Sequence, residues 1–91
     1  MAKKVWYMHI CDFVGNEENW CFESEAEAYK SFAYVVHKEM ANDEMKNKNG
    51  ELVDGESRTL AECLEKSYAL TRFYEIYVRE CEMTTMKQFM W

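Results

Sequence analysis

From Val5 to Val14 the chain offers a nearly unbroken run of bulky and β-branched residues, with Asp12 its only formal charge and Gly15 the first breaker. As a strand, this run sends Trp6, Met8, Ile10 and Val14 to one face and Val5, Tyr7, His9, Cys11 and Phe13 to the other. A strand with one wet face alternates apolar and charged residues. Neither face here is polar, so both want cover. The polar stretch Val14–Asn19 reads as a hairpin turn, because Gly15 and Asn16 tolerate positive φ. Trp20-Cys21-Phe22 then reads as a short antiparallel second strand.

Ser24 and Glu27 are spaced as a capping box, and Glu25 and Glu27 suit the positive end of a helix dipole. Ala26, Tyr29, Phe32, Ala33, Val36 and Met40 then recur at helical spacing, with Ala28, Tyr34 and Val35 off that stripe. The helix fades at Ala41-Asn42, and Asn47-Lys48-Asn49-Gly50 carries turn chemistry. Residues 51–57 read as a loop that Leu52 and Val53 pin to the body. Thr59 and Glu62 form a second capping box. The absence of Gly, Pro and Asn over residues 56–91 favours one long helix from about Thr59 to about Cys81. Its competitor is a third strand over residues 72–83, because Phe73-Tyr74-Glu75-Ile76-Tyr77-Val78 is strongly β-prone. The apolar tail Thr84–Trp91 suits a closing strand or a segment docked in a groove. The expected fold is α+β in a single domain of residues 1–91: an N-terminal antiparallel β-hairpin packed on two helices, ββαα, or ββααβ if the C-terminal strand forms.

Charge is unevenly placed within a net −6: residues 1–16 carry +1, residues 17–56 carry −7 and residues 57–91 carry 0. The acidic middle repels nucleic acid and anionic membrane and favours basic partners. No secretory signal is visible and no apolar run reaches bilayer length, which points to the cytoplasm, with the four cysteines as reduced thiols.

Catalytic and ligand motifs are missing. His9 and Cys11 share a strand face, with Cys21 across the hairpin and Cys81 as a fourth soft ligand, but no Cys-x-x-Cys knuckle supports zinc, so no metal and no cofactor is expected. His37 sits beside the helical stripe as a boundary residue. No serine occupies a nucleophile elbow, and three isolated glycines make no phosphate loop. Enzymatic activity is not expected.

What remains is contact with protein. Aromatic residues make up 15% of the chain, more than a thin core buries, and they stand near acids. Aromatic anchors within an acidic rim suit an interface. The residues that fit this description are Tyr7, His9, Phe13 and Trp20, with Glu17, Glu18, Glu23, Glu25 and Glu27 at the hairpin tip and helix start. In size, acidity, lack of proline and absence of catalytic motifs, the chain resembles the small acidic inhibitors encoded by phages and mobile elements, such as anti-CRISPR proteins. The similarity is one of general character. It implies binding to a larger basic protein, such as a host nuclease or nucleic-acid-binding complex in the host cytoplasm. It also implies occlusion of that partner's nucleic-acid channel or its movement, with no direct contact to nucleic acid or membrane. The alternative is a self-associating structural module, a homodimer that hides the second strand face against its own copy.

Overall fold

The computed structural model describes residues 4–82 as a four-stranded antiparallel sheet with helices against one face. The elements are β1 (Lys4–Asp12), β2 (Glu17–Phe22), α1 (Glu25–Asn42), α2 (Leu60–Lys66), β3 (Tyr68–Leu70) and β4 (Tyr74–Glu82). The strand order is β2-β1-β4-β3, so the apolar opening strand lies inside the sheet, flanked on both sides. The α+β reading holds, and two C-terminal strands complete the sheet.

Strand β1 stops at Asp12, and this corrects the placement of Phe13 and Val14 on the strand faces. Both belong to the turn and are exposed, Phe13 at 62%. Asp12 ends the strand by turning its carboxylate onto the loop: Oδ1 accepts from the backbone N–H groups of Val14 and Asn16, and Oδ2 accepts from the Asn16 amide. Those bonds hold its pKa below the ordinary aspartate value. Gly15 takes φ 101, a conformation closed to most side chains. Strand β2 is longer than expected. It begins at Glu17, because a polar Glu-Glu-Asn segment is acceptable on an edge strand whose outer side meets water.

Helix α1 starts where the capping box predicts, with the Ser24 hydroxyl accepting from the Glu27 N–H. Its buried residues are Ala28, Phe32, Val36 and Met40, a strict four-residue repeat. Ala26, expected on the stripe, is exposed, and Ala28 replaces it. This row packs on Met8 and Ile10 of β1 and on Ile76 and Val78 of β4, which are paired across the ladder as Ile10–Ile76 and Met8–Val78. Full burial of Phe32 contributes about 2–3 kcal/mol.

The long C-terminal helix does not form. Helix α2 has seven residues and ends at Ser67, which adopts the left-handed conformation at φ 57 and ψ 31. The hydroxyls of Ser67 and Tyr29 lie 2.5 Å apart, which ties that cap to α1. Beyond it, the aromatic and β-branched residues that phased poorly as a helix form β3 and β4. Val78 alternates inward with Ile76, while Tyr77 and Arg79 face the other side. The expectation for Thr84–Trp91 lies outside the described residues. No helix among the described residues is long and apolar enough to cross a membrane.

The loop between the helices is organised by Asp54, which is buried at 3% exposure. Its Oδ1 accepts from the backbone N–H groups of Glu56 and Arg58. Its Oδ2 accepts from Arg58 Nε, from the Leu70 N–H and weakly from the Cys63 thiol. Arg58 Nη2 stands 2.9 Å from the same oxygen, off the hydrogen-bond axis, and the guanidinium lies over the Tyr68 ring. One carboxylate thus joins the loop, α2 and β3.

Candidate protein interface

Helix α1 covers β1 and β4 more closely than the β2 edge, and the difference leaves an open hollow of about 730 Å³ between β2 and the outer flank of α1. Its floor is Met8, Ile10 and Phe22. Trp20 rises from β2 and Tyr34 from α1, and they remain 51% and 68% exposed. Glu18, Glu27 and Lys30 rim it.

The ladder explains this placement. Glu18, Trp20 and Phe22 pair with Ile10, Met8 and Trp6, so alternate residues of β2 face the helix side. On α1, Glu27, Lys30 or Ser31, and Tyr34 recur at spacings of three and four, one flank away from the buried row.

The residues expected from sequence fall into separate places. Glu18, Trp20 and Glu27 come together at the hollow. Tyr7, His9 and Glu17 lie on the opposite sheet face, where they alternate with Met8, Ile10 and Glu18. Phe13 stands at the hairpin turn, against a second depression lined by Asp43, Val53, Leu70 and Arg72. Glu23 and Glu25 are exposed at the far end of β2. The six-residue strand β2 sets Glu17 about 20 Å from Glu23, so Glu17 does not join the acids Glu23 and Glu25 in one cluster. Tyr34, Lys30 and Ser31 were missed. The signal for them was the departure of Tyr34 from the buried stripe together with its spacing from Glu27 and Lys30.

On the opposite face Tyr7 is half-buried, paired with Cys21 on one side and Arg79 on the other. Burial, then the nearness of Cys21 and Cys81, raises its phenol pKa. No helix covers this face among the described residues. None of the four cysteines forms a disulfide. Cys21 and Cys81 pair with Tyr7 and Val5, about four to six strand residues from Cys11. At about 3.3 Å per residue they cannot join His9 and Cys11 in the four-ligand set weighed from sequence.

Compared with known proteins, the chain matches no family model, no curated protein and no solved structure.

Proposed function

We propose that the chain is a small acidic protein-binding module, an inhibitor or adaptor that docks on a larger basic protein through the hollow between β2 and α1. The observation that carries this reading is the pair Trp20 and Tyr34, exposed on either side of an apolar floor and edged by two acids, Glu18 and Glu27, and one base, Lys30. Large aromatic side chains bury about 150–250 Å² each when fully covered. With half or more of each ring open, the pair offers roughly 200–300 Å² of the ~800 Å² that a standard partner surface requires. The rings act as anchors, and neighbouring rim residues must supply the remainder. Glu18 and Glu27 steer encounter with a positive surface.

The partner class follows from charge. With −7 over residues 17–56, a compact domain of this charge suits a groove otherwise occupied by phosphates, as in a nuclease or nucleic-acid-binding complex. This is an anti-defence type of activity, exercised in a host cytoplasm, and it needs no catalysis by the chain itself.

The test is retention and inhibition of a nucleic-acid-processing protein by immobilised wild-type chain, compared with Glu18→Lys/Glu27→Lys. Wild type is expected to retain and inhibit the partner, more weakly as salt rises. The charge-reversed pair is expected to lose about tenfold or more in affinity. Unaltered affinity would remove the steering role.

A second reading rests on the sheet face opposite α1. Tyr7, Tyr68 and Tyr77 stand there half-buried with no helix over them among the described residues. A second copy could cover that face across a twofold axis. Sedimentation at micromolar concentration checks this: a dimer supports self-association, and a clean monomer ends it.

A further inference from the structure

His9 and Cys11 stand two residues apart on β1, so they share the sheet face turned away from α1. Glu17 lies directly across the ladder from Cys11. One donor atom from each residue, an imidazole nitrogen, the Cys11 Sγ and a Glu17 carboxylate oxygen, all lie within 4.8 Å of one another. Two hydrogen-bonded strands supply the three donors, so the backbone positions them in advance.

The His9 ring is also oriented. Asn19 Oδ1 lies 2.6 Å from Nδ1 and accepts its hydrogen. Nε2 then faces Glu17, 3.7 Å from Oε1. Tyr77 stacks on the ring at 4.8 Å between centroids, which fixes its plane. In the neutral imidazole Nε2 offers a lone pair, and nitrogen, sulfur and a carboxylate oxygen stand close together, with the Cys11 thiol donating to the Asp12 carbonyl at 3.2 Å. A carbonyl oxygen holding the far ring N–H is the arrangement that orients metal-bound histidines. Around this point Asp12 and Glu75 add negative field. Glu75 sits opposite Cys11 on β4 and accepts from the Tyr68 hydroxyl, while the guanidinium groups of Arg58 and Arg79 lie over the Tyr68 and Tyr77 rings.

We propose that His9, Cys11 and Glu17 form a surface site for a borderline-soft divalent cation of the zinc class. Sulfur and imidazole ligands disfavour magnesium and calcium, whereas zinc accepts sulfur, nitrogen and oxygen together. Bond lengths of about 2.0–2.3 Å place tetrahedral ligand atoms about 3.3–3.8 Å apart, so side-chain rotations of about 1 Å close the present spacing. Water takes the fourth position. On binding, the Cys11 thiol releases its proton to solvent and the sulfur bonds to the metal as thiolate. The site lies on the other side of the sheet from the hollow and does not depend on the partner proposed for it.

The test is titration of the reduced full chain with Co²⁺, followed by the thiolate-to-cobalt charge-transfer band, and then displacement by Zn²⁺. One equivalent is expected to bind. Cys11→Ser is expected to abolish the band, Cys21→Ser and Cys81→Ser to leave it, and His9→Gln and Glu17→Gln each to weaken binding about tenfold or more. Metal-free unfolding midpoints confirm that each variant folds. Absence of the band, its loss with Cys21 or Cys81 in place of Cys11, or indifference to His9→Gln and Glu17→Gln would overturn the site.

Discussion

Asp54 and Glu17 are both carboxylates beside a cysteine, and they stand in opposite company. Asp54 is buried and saturated: three backbone N–H groups, the Arg58 guanidinium and the Cys63 thiol converge on its two oxygens. Burial alone would raise its pKa, but the bonds from Arg58 and Leu70 outweigh that and hold it below the ordinary value. Cys63 beside it is pushed up to about 11, by burial first and the Asp54 charge second, so its thiol is inert and serves as a weak donor. Glu17 is 59% exposed at its side chain and faces an imidazole nitrogen and a thiol. Where donors outnumber acceptors, a carboxylate is a structural post. Where acceptors face one another at an open surface, the position is suited to a cation.

The largest effect should come from breaking the saturated site. Asp54→Ala leaves the partly exposed Arg58 without its counter-charge and three backbone N–H groups without their acceptor, and is expected to cost about 3–5 kcal/mol, read from urea unfolding. That approaches half of the ~5–15 kcal/mol that holds a typical domain together. Acid should expose the same dependence. The native pKa of Asp54 lies below the unfolded carboxyl value of about 3.9, so its contribution is complete above that pH and is lost as pH falls toward the native pKa. Asp54→Asn should flatten that acid limb in unfolding midpoints measured against pH. If the limb is unchanged, other carboxylates carry it.

Next in size is the neighbouring helix cap. Thr59 accepts from the Glu62 N–H, and Glu62 accepts from the Thr59 N–H, the reciprocal pair of a capping box. Thr59→Ala should cost about 1 kcal/mol by the same measurement. The smallest effect belongs to the open site. Without added metal, Glu17→Gln should change stability by less than about 0.5 kcal/mol, as expected of an exposed surface residue. A large loss there would mean that Glu17, like Asp54, is structural.

The same contrast explains how much was legible from sequence. Both helix N-caps were plain because they rest on contacts three residues apart, with the full reciprocal box formed at Thr59 and Glu62, and the two opening strands were plain from composition. The C-terminal strands were harder. Tyr68–Leu70 and Tyr74–Glu82 are held by pairing with each other and with β1, a long-range effect that local spacing does not encode. Ser67 in the left-handed conformation ends α2 where no glycine marked a stop. Asp54 looked like one more loop acid, because its partners Cys63 and Leu70 lie nine and sixteen residues away. At the candidate interface, Trp20, Glu18 and Glu27 meet, whereas Tyr7 and His9 fall on the other face of β1, as its alternation required, and Glu17 joins them because β2 extends three residues earlier than composition suggested. Glu17 joined His9 and Cys11 only once the ladder register was known.

If the chain works by surface contact at the hollow, as proposed, Trp20 and Tyr34 carry the binding. The most direct measurement compares partner affinity for Trp20→Ala/Tyr34→Ala with that for Tyr7→Ala/Tyr77→Ala, which truncates the opposite face, each checked for unaltered unfolding. About a hundredfold loss is expected for the first pair, typical of two anchoring aromatics, and little change for the second. Full affinity in the first pair with loss in the second would contradict it and move the interface to the other side of the sheet.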